Sequence, residues 1–336
     1  MSYTTNNCKL IIEIGVNHNG SIESAKKMID VISTYNVEYV KFQSFIAEEL
    51  CLKNANLARY QKKNLKKKIS QFEMLKKYEL DFNKHNKLYN YCKKKNIKFV
   101  SSVFGVESFK LYNKFKTDFI KVPSGEITNL PLLNVLDNSN KRIILSTGMS
   151  NIKEIEEAVK TLSKTKKKNK LTLMHCVSSY PTKLDEINLN SIIYLKKKFH
   201  VPVGLSDHTD SVIIPYMAYQ MGACYIEKHF TLNKNLNGPD HKASINEDQL
   251  KEIVFGVKKT TNILGKFAKV VTPEEVKNRA VVRKSVYAKK NIKKGQIFQN
   301  NNLKICRPFY KNSPKKFFDL IGKKAKKNFK KNQIIV

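Results

Sequence analysis

The chain has no tryptophan, only five arginines, six scattered cysteines and no long apolar run. Each scarcity excludes something. With no stretch of about 20 continuously apolar residues, no membrane-spanning helix is expected. The opening MSYTTNNCKLIIEIG lacks a basic start, and Glu13 interrupts its apolar run, so it reads poorly as a secretory signal. Cys8, Cys51, Cys92, Cys176, Cys224 and Cys306 contain no C-x-x-C pair. That argues against a disulfide framework or zinc ribbon, and for a reducing cytoplasm.

The shortage of arginine bears on the charge. The formal net charge is +35, yet of 63 basic residues only Arg59, Arg142, Arg279, Arg283 and Arg307 are arginine. The side chain that reads bases and phosphates bidentately is nearly absent. Lysine accompanied by abundant asparagine and isoleucine is what an AT-rich coding sequence dictates. The charge is therefore read as compositional, with no nucleic-acid partner, although an anionic substrate would gain from the field at low salt.

What is present is a repeated alternation. Eight short β-rich runs occur: KLIIEIG (9–15), EYVKFQ (38–43), IKFVSS (97–102), DFIKVPS (118–124), RIILST (142–147), LTLMHC (171–176), VPVGLS (201–206) and CYIEKHF (224–230). Helix-like stretches lie between them, including 21–35, 84–96, 151–164, 188–199 and 247–264. In NIKEIEEAVKTL, Ile152, Ile155 and Val159 recur at helical spacing, behind Asn151 or Ser150 as N-cap. Eight strands over about 265 residues point to a (β/α)8 TIM barrel, with a doubly wound open sheet as the alternative.

Residues 44–78 are a long excursion after the second strand, read as a lid or substrate loop. Within it KKNLKKKISQFEMLKKYEL reads as an exposed helix. The expected organisation is a barrel domain over 1–265, a linker over 266–282, and a small β-rich domain over 283–336 ending in a lysine-rich solvated tail.

A barrel places its working residues at the C-terminal strand ends. Polar residues fall there repeatedly: Glu13, Lys41 with Gln43, Ser101 with Ser102, Lys121 with Ser124 and Glu126, Ser146 with Thr147, His175, Ser206 with His208, and His229. Lys41 and Lys121, with Ser102, Ser124, Ser146 and Ser206, would make a cradle for a phosphate and a carboxylate. Glu126 beside that cradle would orient water or a sugar hydroxyl, or move a proton. In YIEKHF, alternation puts Glu227 and His229 on one face and Lys228 on the other. His208 and His229 would be neighbours across strands seven and eight. Two imidazoles leave most positions of a six-coordinate ion for water and substrate oxygen, which suits Mn²⁺ or Mg²⁺ better than structural zinc. Lys121 or Lys228 could instead form a Schiff base, as in class I aldolases.

EIGVNHNG (13–20), KFQ (41–43), KVPSGEITNLPLL (121–133), LSTGM (145–149), SSYP (178–181), GLSDHT (204–209), EKHFT (227–231) and GPDHKAS (238–244) occur in this order. Together they resemble the sialic acid synthase family, the phosphoenolpyruvate-dependent synthases of nine-carbon 2-keto sugar acids. SVYAKKNIKKGQIF…KICRP resembles that family's antifreeze-like SAF (β-clip) domain. The resemblance implies phosphoenolpyruvate and an N-acyl-mannosamine-type aldehyde as substrates, and a divalent metal on His208 and His229. It implies phosphoenolpyruvate contacts from Lys41, Ser102, Lys121, Ser124, Ser146, Ser178 and Ser206. Glu13, Gln43, Glu126, Tyr180 and Asp240 would surround the acceptor and the reacting centre. Arg307 would come from the SAF domain of a partner subunit, which implies a domain-swapped homodimer. The chain departs from the usual STPF at SSVF (101–104) and has Ser178 where the best-known N-acetylneuraminate synthases have asparagine. KFQSF, SGEITNLP and GPDHKAS are more similar to the bacterial branch that includes N,N′-diacetyllegionaminate synthases.

A compositional origin of the charge has a direct consequence. In a mobility-shift assay at physiological salt, duplex DNA is expected to show no tight, salt-resistant complex.

Overall fold

The computed structural model describes residues 8–65, 69–139, 141–164, 170–310 and 313–336. The chain divides into two compact units, 1–265 and 266–336. The first is a closed barrel of eight parallel strands in sequential order. They are β1 (Lys9–Gly15), β2 (Tyr39–Ser44), β3 (Lys98–Val103), β4 (Ile120–Val122), β5 (Ile143–Ser146), β6 (Leu171–Cys176), β7 (Val203–Asp207) and β8 (Tyr225–His229). Strand β8 closes on β1 with Ile11 opposite Glu227 and Glu13 opposite His229.

Period-two alternation sorts each strand into two faces. Outward residues such as Leu10, Ile12 and Ile14 pack on Ala25, Met28, Ile29 and Ile32 of the helix Ile22–Ser33, within one continuous core. Inward residues Ile11, Tyr39, Val100, Phe119, Ile144 and Met174 form a separate apolar layer that plugs the barrel. The barrel is thus a filled core rather than a pore. Capping follows the local sequence: Asn151 and Glu154 make a capping box on the helix Ile152–Thr161.

The excursion after β2 holds more than the one exposed helix expected over 62–80. It forms helices Ala47–Leu50, Arg59–Leu65 and Gln71–Tyr78. Ser70 and Glu73 form a capping box that starts the last helix afresh. Met74, Leu75 and Tyr78 are buried, because the lysines between them occupy the other face. Residues 66–68, part of the expected helix, lie outside the described residues.

In the second unit, β9 (Ser285–Ala288) pairs antiparallel with β10 (Leu303–Cys306). Isolated bridges join Tyr287 to Ile334, Ile292 to Phe329 and Ile297 to Lys324. Two stretches hold more structure than their composition suggests. The stretch read as a linker contains a helix, Pro273–Val282, started by a Thr272–Glu275 capping box with proline in its first turn. The lysine-rich end keeps its lysines in solvent as expected, but Ala325, Phe329 and Ile335 between them are buried in this unit's core with Val286, Ile292 and Phe298. Its lysines alternate with these anchors and face solvent.

No described helix is long and apolar enough to cross a membrane. All six cysteines are free.

Phe119 is 1% exposed, with its ring 5.0 Å from that of Tyr39 and 5.7 Å from that of Tyr225. Phe119→Ala should cost about 3–5 kcal/mol in chemical denaturation, because this closed layer cannot collapse into the gap.

Candidate active site

Two residues beyond the apolar layer, towards the C-terminal strand ends, the barrel interior turns polar. Lys41 Nζ lies 2.7 Å from Glu13 Oε2 and 3.6 Å from Glu227 Oε1. It donates to Ser102 Oγ at 2.8 Å. Lys121 Nζ lies 3.5 Å from the same Glu227 oxygen and donates to Ser146 Oγ at 2.7 Å. Ser206 Oγ donates to Glu227 Oε1 at 3.0 Å, and Gln43 Nε2 to Glu13 Oε1 at 3.2 Å. The structure therefore brings together Glu13, Lys41, Gln43, Ser102, Lys121, Ser146 and Ser206. At their centre is a residue that sequence reasoning did not place in the site, Glu227.

The electrostatics of this layer are uneven. Burial works to raise the Glu227 carboxyl, but Lys121 and Lys41 outweigh it and hold the group well below the usual carboxylate range. Glu13 goes the other way: burial dominates and, with the Glu227 charge, outweighs Lys41, so its carboxyl is pushed up to about 7. Burial also lowers Lys121, against the pull of Glu227. Near neutral pH the layer holds two lysines, one firm carboxylate and one carboxyl close to its midpoint. It has spare positive charge and suits an anion.

A second group of polar atoms adjoins it. Ser124 Oγ accepts from the Gly148 amide at 3.0 Å and lies 3.6 Å from Cys176 Sγ, with Ser178 Oγ 4.0 Å from that sulfur. A Cβ on Gly148 would come within 2.4 Å of Ser178 Oγ and 2.7 Å of Ser124 Oγ. Glycine is what lets this backbone approach the two hydroxyls. Cys176 is a second residue that sequence reasoning missed. Its signal was available, because it follows inward-facing Met174 by two positions.

The two histidines do converge, with ring centroids 5.4 Å apart. His208 Nδ1 donates to the Val177 carbonyl at 2.7 Å, which leaves Nε2 as the ligating nitrogen. His229 Nδ1 and Glu227 Oε2 are buried without a hydrogen-bond partner. Burial, His208 and Lys41 hold the His229 imidazole well below its usual value, so it is neutral and free to ligate. These orphaned atoms and the fixed tautomer fit a divalent ion. Among the described residues no three His, Cys, Asp or Glu side chains form a closed cage. An ion here would be held by His208, His229 and oxygens of substrate or solvent.

Tyr180 stacks on His208 with centroids 4.1 Å apart. Asp240 Oδ2 lies 3.9 Å from His229 Nδ1, and burial pushes its carboxyl up to about 6. The Asp240 loop is tied to the loop after β1. Asn17 Nδ2 donates to Ser244 Oγ at 2.8 Å, Ser244 Oγ donates to the Asp240 carbonyl at 2.7 Å, and His241 Nε2 lies 3.1 Å from Asn19 Nδ2. Two motifs more than 200 residues apart in sequence are thus one structural unit.

Two expected residues stand apart. Glu126 is buried in the turn after β4, where its Oε2 accepts from Asn129 Nδ2 at 2.6 Å, and burial raises its carboxyl. Arg307 is exposed just past β10 in the second unit. Lys228 faces away from the barrel interior. Its Nζ is held 2.9 Å from Asp207 Oδ2 and 2.6 Å from the Thr209 carbonyl. That removes it as a Schiff-base lysine.

Fold and site together define a (β/α)8 protein with a cationic, hydroxyl-lined ligand cradle at the C-terminal mouth of the barrel. Residues 28–269 match the NeuB family and residues 283–336 the SAF domain, and the chain belongs to the NeuB family. It is 44% identical to the N,N′-diacetyllegionaminic acid synthase of Campylobacter jejuni, over 97% of this chain and 98% of that one. It is 35% identical to the Legionella pneumophila protein of the same name, over 96% of this chain and 91% of that one. The solved N-acetylneuraminic acid (sialic acid) synthetase of Leptospira borgpetersenii is 31% identical, with a TM-score of 0.70 over 81% of this chain and 90% of that one.

The raised Glu13 carboxyl links stability to pH. Its proton is retained in the fold up to about 7 and released in the unfolded chain near 4.5. The stability it contributes is full below the lower value and is lost as pH rises through the upper one. Relative to Glu13→Gln, the wild type should lose on the order of 2 kcal/mol between about pH 5 and pH 8, read from urea denaturation curves.

Proposed function

We propose that this protein condenses phosphoenolpyruvate with an open-chain N-acyl-mannosamine-type aldehyde, giving a nine-carbon 2-keto sugar acid and phosphate. The acceptor is N-acetylmannosamine or 2,4-diacetamido-2,4,6-trideoxymannose, and the products are N-acetylneuraminate or N,N′-diacetyllegionaminate. The second acceptor is favoured, because the relatives at 44% and 35% identity are named for that product. The observation that carries the reading is the pair of buried lysines sharing one carboxylate inside a ring of serine hydroxyls.

Lys41 and Lys121 supply charge for the phosphate and carboxylate of phosphoenolpyruvate, and Ser102, Ser124, Ser146, Ser178 and Ser206 supply directed hydroxyls. A Mn²⁺ or Mg²⁺ ion on His208 and His229 would supply Lewis-acid polarisation of the acceptor's aldehyde oxygen. In the reaction, the methylene carbon of phosphoenolpyruvate bonds to the aldehyde carbon. Water then adds to the enol carbon, and phosphate leaves with its bridging oxygen by C–O cleavage. The water oxygen becomes the keto oxygen and gives up two protons, one balanced by the aldehyde oxygen becoming a hydroxyl and one carried off by the departing phosphate. Glu13 and Asp240 are raised close enough to neutrality to exchange protons with these oxygens. Gln43 fixes the Glu13 carboxyl, and Tyr180 backs the His208 ring. Glu126 is assigned to the acceptor side by the family pattern alone, since its carboxyl is held by Asn129 apart from the assembled cluster. Arg307 is assigned to the N-acyl group in a domain-swapped homodimer. Its exposure beyond β10 and the scarcity of arginine support that role. Six free cysteines suit a reducing cytoplasm.

Incubation with Mn²⁺, phosphoenolpyruvate and each acceptor should release phosphate with at least one of them. His208→Ala and His229→Ala should each lower turnover by about 10³-fold or more, and chelation should abolish it until Mn²⁺ is restored. Phosphate release with neither acceptor would sink the substrate class. Borohydride trapping of a covalent adduct on Lys121, with full activity in chelator, would favour Schiff-base chemistry instead.

A further inference from the structure

The excursion after β2 is a built lobe. Phe45, Ala47, Met74, Leu75 and Tyr78 bury against Val16 at the end of β1 and form a small core of their own. That lobe presents the helix Arg59–Leu65 to the barrel mouth, where two contacts hold it. Asn64 Nδ2 donates to the Pro239 carbonyl at 2.6 Å. The Tyr60 ring stacks on Tyr180 with centroids 4.9 Å apart and planes 28° apart. Its hydroxyl accepts from Gln61 Nε2 at 3.3 Å and faces the Asp240 carboxyl.

Tyr180 in turn lies on His208, so Tyr60, Tyr180 and His208 form a continuous aromatic ladder from the lid to the histidine pair. Such a wall does not suit phosphoenolpyruvate. The negative face of an aromatic ring repels an anion, and the lysine cradle lies deeper in the barrel. It suits a neutral ligand with C–H and methyl surface and a few hydroxyls. Of the two substrates, only the acyl-amino sugar has that character. The half-buried Tyr60 ring keeps open surface for it.

Resting on the condensation reading above, we propose that Tyr60 is an acceptor-specificity residue, contacting the apolar edge of the sugar, and that Asn64 positions it through Pro239. The 2,4-diacetamido-2,4,6-trideoxy acceptor has two acyl methyl groups and a terminal methyl. N-acetylmannosamine has one acyl methyl and a hydroxymethyl. The first therefore buries more apolar surface on the ring.

The test is steady-state kinetics of the full-length wild type, Tyr60→Ala, Tyr60→Phe and Asn64→Ala, varying each acceptor and phosphoenolpyruvate separately. Tyr60→Ala should raise the KM of the diacetamido acceptor by about tenfold, with a smaller rise for N-acetylmannosamine. The KM of phosphoenolpyruvate should stay within about twofold. Tyr60→Phe keeps the stack and should hold the acceptor KM within about twofold, with any effect of losing the hydroxyl that faces Asp240 falling on kcat, and Asn64→Ala should shift the acceptor KM in the same direction as Tyr60→Ala by a smaller factor. If Tyr60→Ala is poorly folded by thermal melting, Asn64→Ala carries the comparison. An active wild type whose Tyr60→Ala or Asn64→Ala variant leaves acceptor KM unchanged, or raises both substrates' KM equally, overturns this proposal alone. A wild type inactive with both acceptors overturns the condensation reading and this proposal with it.

Discussion

Two buried lysines share one carboxylate inside the barrel, and the rest of the site follows from that constraint. Lys41, Lys121 and Glu227 have side chains 3%, 3% and 4% exposed. Removing each charge from water costs several kcal/mol unless partners replace the lost hydration. Ser102, Ser146 and Ser206 are those partners, and they reach the charges only because adjacent strands hold them in register. One carboxylate cannot balance two lysines, and Glu13 is too deeply buried to stay ionised throughout the neutral range. The cluster is left short of negative charge, and an anionic substrate can supply it.

The mouth above this layer is held by polar networks and by a small separate core. The Asn17–Ser244 and Asn19–His241 contacts join the loops after β1 and β8, and so set where Asp240 stands beside His229. Against the Asp240 loop, the lobe built on Phe45, Met74 and Tyr78 fixes the helix carrying Tyr60, with Asn64 bonded to the Pro239 carbonyl. Loops positioned by a rigid scaffold are where a barrel acquires its chemistry, and here both loops are stiffened by buried side chains.

Much of this was legible in the sequence. The eight β-rich runs became β1 to β8, because alternation of apolar residues with helical spacers leaves few other ways to bury both faces. The cradle residues were readable as polar positions at strand ends. The lysine-rich stretches were read incompletely in two places for one reason. In 62–80 and 321–333, lysines dominate the composition, while the buried positions among the described residues are sparse: Met74, Leu75, Tyr78 and Leu80 in one, Ala325 and Phe329 in the other. Charge density hides a pattern carried by two to four residues. The capping box Thr272–Glu275 inside the expected linker was likewise a local signal overlooked beside its polar surroundings.

The sequence by itself determined the barrel, its two-faced strands and which residue types line its mouth. These depend on hydrophobic periodicity and local capping, which act between near neighbours in the chain. Only the tertiary structure decided that Glu227 is the shared counter-ion, that Gly148 brings its backbone against the Ser124 and Ser178 hydroxyls, and that Tyr60 reaches Tyr180 from the lid. Those are contacts between residues 24 to 186 positions apart. Their distances depend on strand stagger and loop anchoring, which the order of residue types along one strand does not encode.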